Sequence, residues 1–222
     1  MPPKNGCNFK FEQPGKYTLI YADPAWQYRD SANDGNRGAE HKYPVMNLQD
    51  ICRLPVWELA ADNCLLAMWW VGPMPEEALA VVKAWGFRLM NMKGFTWHKI
   101  HEKSGKDAMG MGHLTRSNSE DMLFAVKGKL PERVMANILQ HVSHEDHITA
   151  PRGEHSAKPH IFADKLVQLL GNVPRIELFA RTPKPGWHHW GNQCECDVEL
   201  IPPQVRVINM PDPNYDPDLD DI

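Results

Sequence analysis

Short apolar runs of strand length, bounded by glycine, proline or charged residues, recur along the chain. Residues 17–22 (YTLIYA) and 64–71 (CLLAMWWV) contain almost no polar side chain, which is typical of strands buried on both faces of a sheet. The same pattern, with more polar interruptions, predicts further strands at residues 87–97, 121–126 and 175–180. These runs predict a central sheet.

Amphipathic segments between the strands predict helices. Residues 75–85 and 159–170 each begin with proline and are each followed by glycine, Gly86 and Gly171, as expected for the first turn and the end of a helix. A shorter helix is predicted within residues 47–55, where asparagine caps the start and proline stops the end. Strands that alternate with helices predict an α/β fold with a mostly parallel sheet and helices on both faces.

The composition is that of a globular protein. Of 222 residues, 42% are hydrophobic and 23% charged, which excludes a wholly disordered or fibrous chain. The longest apolar run, residues 64–71, is less than half a membrane span, and the first ten residues lack the apolar core of a secretion signal. Five irregularly spaced cysteines indicate reduced thiols in a cytoplasmic protein. We expect one domain over residues 1–201 and an acidic tail over residues 202–222.

Charge is unevenly distributed. The net charge of −4 disfavours a nucleic-acid partner, but residues 211–222 alone contribute five aspartates and no basic residue. Residues 88–116 carry six lysines or arginines against two acids. A local positive stripe of this kind binds a phosphate backbone even when the whole chain is acidic; the alternative is an ordinary solvated loop. The polar segments 27–42 and 99–118 are therefore candidates for holding a substrate.

The first predicted strand is followed by Asp23-Pro24-Ala25-Trp26. Ligands bind beyond the carboxyl ends of the strands in a sheet of this type. The Asp23 carboxylate and the Pro24 carbonyl, side by side, would accept both hydrogens of an exocyclic amine while Trp26 stacks on the base. That grip directs the nitrogen lone pair at an electrophile and stabilises the transition state of methyl transfer. The alternative is an aspartate–proline turn followed by a core tryptophan.

These four residues resemble the Asp-Pro-Pro-aromatic signature of amino-methyltransferases that use S-adenosylmethionine. The similarity continues in order over nearly all of residues 15–193, through IYADPAW (20–26), YPVMNLQDICRLPVWELA (43–60), AMWWVGPMPEEALAVVKAWGFR (67–88), FTWHK (95–99), EDMLFAVKG (120–128), EHSAKPH (154–160), RIELFAR (175–181) and GWHHWGNQ (186–193). The chain thus resembles the N6-adenine methyltransferases that include the catalytic subunit of the eukaryotic messenger-RNA adenosine methyltransferase and phage and bacterial DNA adenine methyltransferases. The resemblance implies a Rossmann-like methyltransferase fold with permuted motif order.

The resemblance also implies how the cofactor, S-adenosyl-L-methionine, is held. Lys158 matches the lysine that pairs with the methionine carboxylate, and it lies at the start of a predicted helix, where an anion is favoured. Phe179 and Arg181 match the strand end that runs along the cofactor, with the arginine reaching the ribose hydroxyls. The remaining residues implied to contact the cofactor are Asn192 and Gln193, which match a G-N-Q motif, and Asp23.

The catalytic motif of the family maps onto Asp23, Pro24 and Trp26. Ala25 replaces the usual second proline, from which we expect reduced rigidity rather than lost activity. The strand at Phe179 also lacks the glycine-rich turn of dinucleotide-binding folds. Residues expected near the substrate are Glu120, which matches a family glutamate, Tyr28 and Tyr43, which fall in segments that border the target pocket, and Lys99 and Arg116 of the basic segment.

The sequence therefore predicts S-adenosylmethionine-dependent methylation of the N6 amine of adenine. DNA is preferred as substrate because a short chain with little appended looks like the phage or bacterial members. Two alternatives remain open: the same reaction on RNA, and a non-catalytic nucleic-acid-binding partner of an active methyltransferase. The cluster His188-His189 with Cys194-x-Cys196 lacks the usual spacing of a zinc site, so no metal is predicted.

Overall fold

The computed structural model describes residues 16–26, 46–110, 114–130, 134, 145–153 and 157–201. The predicted loop over residues 27–42 and the predicted acidic tail, residues 202–222, lie outside the described residues, as do Tyr28 and Tyr43.

Seven strands form one sheet within the described part of the chain. They are β1 (Tyr17–Ala22), β2 (Ala60–Trp70), β3 (Arg88–Ile100), β4 (Ser119–Lys127), β5 (His147–Pro151), β6 (Arg175–Leu178) and β7 (His188–Trp190). The strand order is β5-β3-β4-β2-β1-β6-β7. Strand β4 is antiparallel to both neighbours, and every other neighbouring pair is parallel. The prediction of a mostly parallel sheet is confirmed.

Among the described residues, four helices accompany the sheet: α1 (Leu48–Arg53), α2 (Val56–Leu59), α3 (Pro75–Ala84) and α4 (His160–Leu170). The predicted helix signals are confirmed. Asn47 caps α1, since its side-chain oxygen accepts the Asp50 N–H at 2.9 Å. Gly86 and Gly171 end α3 and α4 with φ of +80° and +79°, a left-handed backbone that favours glycine.

The two faces of the sheet bury separate hydrophobic clusters. Helices α1, α2 and α3 cover one face, where alternate β1 residues such as Ile20 share a buried cluster with Val81 of α3 and with Trp85, the residue that caps α3. Helix α4 covers the other face, where Leu19 and Tyr21 of β1 join Phe162. The alternation along β1 explains its uninterrupted apolar sequence, because both sets of side chains are buried. The predicted arrangement of helices on both faces is confirmed.

Several boundaries differ from the sequence prediction for physical reasons. The predicted strand over residues 175–180 ends at Leu178, because Phe179 adopts a φ of +63° and cannot continue the ladder. Strands β5 and β7 were not predicted. Their sequences, HITAP and HHW, are short and polar, and they pair at opposite edges of the sheet. None of the helices in the described part of the chain is long and apolar enough to cross a membrane.

Candidate active site

A cavity of about 390 Å³ lies at the carboxyl ends of the central strands. Because β1 and β6 are parallel and Ala22 pairs with Leu178, the segments that follow them begin side by side. The cavity is lined by Asp23, Pro24, Ala25, Trp26, Met46, Val71, Glu120, Lys158, Phe179, Arg181, Trp190, Gly191, Asn192 and Gln193. Residues implied to contact the cofactor therefore share one cavity with the Asp-Pro-Ala-Trp segment.

The Asp-Pro-Ala-Trp segment makes a tight turn at the end of β1. The Trp26 N–H donates to the Pro24 carbonyl at 2.8 Å, and the Met46 N–H donates to the Ala25 carbonyl at 3.1 Å. A carbonyl oxygen has two lone pairs, so Pro24 retains one acceptor position after its bond to Trp26. The backbone hydrogen bonds hold this turn in place although Ala25 replaces the second proline.

Trp26 forms part of the cavity wall and is itself almost buried. Its side chain is 5% exposed, and the indole N–H donates to the Trp69 carbonyl at 3.3 Å. The ring is thereby fixed between the sheet and the cavity. Stacking of this indole on a target base stays a prediction. The sequence also favours a core position for five other tryptophans: Trp69, Trp85 and Trp97 are fully buried, whereas Trp57 and Trp70 are only partly buried.

Four charged side chains of alternating sign meet at the polar wall of the cavity. Lys158 Nζ donates to both carboxylate oxygens of Asp23, at 2.8 and 2.9 Å, and lies 3.3 Å from Glu120 Oε2. Lys99 Nζ donates to Glu120 Oε1 at 2.6 Å. We call Asp23, Lys158, Glu120 and Lys99 the charge chain. Two carboxylates and two ammonium groups are thus balanced in a place largely shielded from water.

The pKa values within the charge chain differ in direction. Burial raises the pKa of Asp23, and Lys158 only partly offsets this. Burial acts to lower the pKa of Lys158, but Asp23 and Glu120 together raise it. Burial acts to raise the pKa of Glu120, but Lys158 and Lys99 outweigh it and lower the value. Lys158 is therefore held as a cation and Glu120 as a carboxylate, while Asp23 takes up a proton more readily than an exposed aspartate does.

Phe179 directs the chain from the end of β6 toward Arg181 at the cavity. Its positive φ of 63° is unusual for a residue other than glycine and is found where surrounding structure enforces it. Here its ring stacks on Trp85 with centroids 6.5 Å apart and meets Trp190 edge-on at 5.4 Å. These contacts fix the direction in which the chain leaves β6, and Arg181 then lines the cavity.

Gly191 allows the segment that carries Asn192 and Gln193 to approach the end of β6. A Cβ at this position would lie 2.1 Å from the Ala180 carbonyl oxygen and 2.7 Å from the Ala180 nitrogen. The Ala180 N–H donates to the Trp190 carbonyl at 3.0 Å, so the two backbones are held together. The missing side chain at Gly191 is what permits this contact.

The basic segment 99–118 begins in the last residues of β3 and leads to β4, and the structure describes it except for residues 111–113. The Ala108 N–H donates to the Lys99 carbonyl at 2.9 Å, and the Gly110 N–H donates to the Ser117 carbonyl at 2.7 Å. Lys99 contacts the cavity only through Glu120, whereas Arg116 is exposed and does not line the cavity. The structure thus brings Lys99 to the charge chain and leaves Arg116 on the surface.

Four residues that line the cavity were not singled out from the sequence: Met46, Val71, Trp190 and Gly191. Trp190 and Gly191 belong to the motif GWHHWGNQ, so the resemblance offered a signal for them. Met46 and Val71 also fall within motifs of the resemblance, residues 43–60 and 67–88, and they reach the cavity through the turn at Trp26 and the end of β2. Within the described residues, no group of three or more histidine, cysteine, aspartate or glutamate side chains is arranged to bind a metal ion.

Comparisons with known proteins identify the relatives of this chain. A family model described as MT-A70 matches residues 17–193. The Type II methyltransferase M.MunI from Mycoplasma sp is 32% identical over 209 residues, which cover 86% of this chain and 84% of that protein. The N(6)-adenine-specific methyltransferase METTL4 from Homo sapiens is 27% identical over 186 residues, covering 80% of this chain and 37% of that protein.

A plant protein, the "Probable N(6)-adenosine-methyltransferase MT-A70-like" from Oryza sativa subsp. japonica, is 27% identical over 203 residues, which cover 90% of this chain and 26% of that protein. The chain therefore spans most of the Mycoplasma enzyme but well under half of the human and rice proteins. The matched region contains the turn after β1, the charge chain and the G-N-Q segment. The resemblance indicated by the sequence motifs is confirmed, and the chain belongs to the MT-A70 family of methyltransferases.

Proposed function

We propose that this methyltransferase transfers the methyl group of S-adenosyl-L-methionine to the exocyclic N6 amine of adenine in DNA. One observation supports this proposal above the others. The Asp23 carboxylate and the Pro24 carbonyl line the same cavity as a buried lysine, an arginine and two amide side chains. The first pair suits an amine acceptor, and the remaining four suit a charged, hydroxyl-bearing donor.

The residues present fit S-adenosyl-L-methionine. The cavity of about 390 Å³ is of a size typical for small-molecule sites. The ammonium of Lys158 would bind the methionine carboxylate, while Arg181, Asn192 and Gln193 would bind the ribose hydroxyls and the adenine. When bound, the cofactor supplies a methyl group on a positively charged sulfur, which is the electrophile of the reaction.

Asp23 and Pro24 prepare the target amine as a nucleophile. Ionised Asp23 accepts one amine hydrogen, and the remaining lone pair of the Pro24 carbonyl accepts the other. A carboxylate oxygen can accept more than one hydrogen bond, so Asp23 can receive the amine while it keeps Lys158. This grip favours a pyramidal nitrogen with its lone pair exposed, which is a feature of the transition state more than of the free base.

The reaction also has to release a proton. Nitrogen gains positive charge as the methyl group arrives, so one of its hydrogens becomes acidic. The Asp23 carboxylate already accepts that hydrogen, and burial raises its pKa, which makes it a better proton acceptor than an exposed aspartate. Lys158, held positive by the charge chain, limits this rise and keeps Asp23 ionised before the reaction.

DNA is the proposed substrate because this chain matches the Mycoplasma Type II methyltransferase along most of the length of that enzyme. The chain covers 84% of the Mycoplasma Type II methyltransferase, whereas the human and rice relatives carry long additional regions. We expect the enzyme to work in the cytoplasm of a bacterium, or of the host if it is encoded by a phage. In duplex DNA, the adenine has to leave the base stack to reach Asp23.

The substrate is tested by offering tritium-labelled S-adenosyl-L-methionine separately with DNA and with RNA of matched base composition. We expect label in DNA. Label in RNA alone would show that the substrate is RNA and not DNA. Label in neither nucleic acid, from protein that remains folded, would favour the non-catalytic partner.

The exposed basic side chains of the loop 99–118 are proposed to bind the phosphate backbone. Replacing Lys103, Lys106 and Arg116 by alanine is expected to weaken DNA binding about 10-fold or more at moderate salt and to lower the slope of log Kd against log salt by up to about three. The turnover at saturating DNA should change little, since the three side chains do not line the cavity.

Fluorescence anisotropy across a salt series measures both quantities. A matched control replaces three exposed lysines elsewhere on the fold: Lys16, Lys83 and Lys129. Equal losses in the two triple variants would contradict a specific role for the loop and leave only a general charge effect.

Gly191→Ala is expected to weaken binding of S-adenosyl-L-homocysteine, the product form of the cofactor, about 5- to 150-fold. The added Cβ would lie 2.1 Å from the Ala180 carbonyl oxygen, so the segment that carries Asn192 and Gln193 must shift. Isothermal titration calorimetry measures this change. Gly72→Ala is the control, because nothing lies within 4 Å of its added Cβ; equal affinities for the two variants would show that the close contact is irrelevant to ligand binding.

A further inference from the structure

His189 is a buried polar residue on the edge strand β7, and the proposed reaction makes no use of it. Its side chain is 5% exposed. Strand register places it beside Glu177 of β6, which itself lies beside Tyr21 of β1. A histidine buried at this depth needs hydrogen-bond partners, and its partners come from two separate loop segments.

The hydrogen bonds of His189 fix its protonation state. The main-chain N–H of Lys184 donates to Nε2 at 2.7 Å. A backbone amide can only donate, so Nε2 must present a lone pair and carry no proton. The Asp197 carboxylate lies 3.3 Å from Nδ1, on the side where the single proton of a neutral ring then resides. The geometry therefore requires the neutral tautomer with its proton on Nδ1.

Both loop segments that His189 contacts also line the cavity. Lys184 belongs to the segment that begins at Arg181, and the Lys184 side chain is anchored by an ion pair with buried Glu177. Asp197 closes the segment that carries Asn192 and Gln193. The Asp197 carboxylate accepts a hydrogen bond from the main-chain N–H of His189 at 2.8 Å, and the main-chain N–H of Asp197 donates to the His189 carbonyl at 2.9 Å. One residue thus ties together the two segments proposed to hold the cofactor.

We propose that His189 is a positioning residue whose neutral form holds both cofactor-binding segments in place, and that its protonation at Nε2 opens the site. A proton on Nε2 would face the Lys184 N–H, and two donors cannot share that position. The Lys184 hydrogen bond is then lost and the segment from Arg181 moves away from β7. This inference rests on the proposed function, because it assumes that Arg181, Asn192 and Gln193 bind the cofactor.

The charged groups around His189 set the pH at which this occurs. Burial lowers its pKa below 6.5, with Lys184 and His188 acting in the same direction, and Asp197 opposes them. Glu177 lies next to His189 but is paired with Lys184. His189 is therefore neutral at pH 7. The unfolded chain takes up a proton at His189 near pH 6.5, and the folded protein does so only at lower pH, so the free energy of unfolding falls as the pH drops below 6.5.

The experiment measures the dissociation constant of S-adenosyl-L-homocysteine between pH 5 and pH 8 in four proteins: wild type, His189→Gln, His189→Phe and His188→Gln. Wild type is expected to bind more weakly as the pH falls below 6.5. His189→Phe removes the acceptor and should bind about 5- to 150-fold more weakly at pH 7.5. His189→Gln offers a carbonyl to the Lys184 N–H, so it should bind closer to wild type and lose the pH dependence below 6.5.

His188→Gln is the matched control. His188 is the adjacent residue of β7, and its Nδ1 is hydrogen-bonded to the Tyr17 hydroxyl of β1 at 2.7 Å. This variant should keep the affinity of wild type at pH 7.5 and should still bind more weakly as the pH falls. Equal affinities of wild type and His189→Phe, or a pH dependence that survives in His189→Gln, would overturn the inference.

A nitrogen-15 NMR spectrum of wild type at pH 7 tests the tautomer without any substitution of His189 itself. We expect a protonated Nδ1 and an unprotonated Nε2; a protonated Nε2 would overturn the inference even if His189→Phe fails to fold. The two proposals fail in distinguishable ways. A wild type that binds no S-adenosyl-L-homocysteine at any pH contradicts the proposed function. Tight binding that is the same in wild type and in His189→Phe contradicts only the role of His189.

Discussion

Asp23→Ala is expected to reduce methyl transfer by about 10³-fold or more while the protein remains folded. The substitution removes the acceptor that directs the amine lone pair, and groups that stabilise a transition state in a buried site commonly contribute factors of this size. The fold should survive because Lys158 keeps Glu120 as a partner, 3.3 Å away. Single-turnover rates, with circular dichroism as a check on folding, measure the effect.

Asp23→Asn separates charge from shape. The amide keeps one oxygen acceptor but places an NH₂ group where Lys158 Nζ now donates to both oxygens, so we expect a rate closer to that of Asp23→Ala than to wild type. Asp164→Asn makes the same change at an exposed position of α4 and should leave the rate unchanged. Wild-type turnover by either Asp23 variant would remove this residue from the mechanism.

Lys158→Met is expected to weaken cofactor binding about 100-fold and to damage catalysis as well. The cofactor would lose the cation proposed for its carboxylate, and truncating one partner of a buried charged contact commonly has effects of this order. The loss would also leave Asp23 and Glu120 as neighbouring carboxylates with no ammonium between them. The pKa of Asp23, already raised by burial, should then rise further.

This second effect gives Lys158→Met a distinctive pH signature. Asp23 has to be ionised to accept the amine, so activity falls as the pH drops through its pKa. The acid limb of the kcat/KM profile should therefore lie at higher pH in Lys158→Met than in wild type. Lys165→Met, on the same helix α4 but outside the cavity, is the control. An unchanged dissociation constant for S-adenosyl-L-homocysteine together with an unshifted acid limb would refute the role given to Lys158.

The sequence predicted the central elements of the fold because their signals are local. Strand β1 was predicted with its observed bounds, since its side chains are buried on both faces and its sequence is continuously apolar. Helices α3 and α4 were predicted within a residue at each end, since proline and glycine mark where they begin and end. Strand β7 was not predicted, because its burial depends on His189, whose partners are not visible from local sequence.

The site was predicted residue by residue through family resemblance, but its electrostatics were not. Asp23, Glu120 and Lys158 are distant in sequence, and their ion pairs arise only because β1, β4 and the start of α4 meet at one edge of the sheet. Nothing in the sequence predicted that Lys158 contacts Asp23 directly. The pKa directions that follow from that contact could not have been derived without the structure.

Trp26 shows the same limit. An aromatic residue after Asp-Pro predicted a stacking surface, and the structure adds that its ring is nearly buried and hydrogen-bonded to Trp69. The sequence specifies the residue type at a cavity wall, but tertiary packing decides how much of the ring a ligand can reach.

The most direct test of the account identifies the methylated atom. DNA is incubated with wild type or Asp23→Ala and S-adenosyl-L-methionine labelled in its methyl group, digested to nucleosides and analysed by mass spectrometry. The account predicts labelled N6-methyl-2′-deoxyadenosine from wild type and essentially none from Asp23→Ala. A label on another atom or another nucleoside, or equal amounts of product from the two proteins, would contradict it.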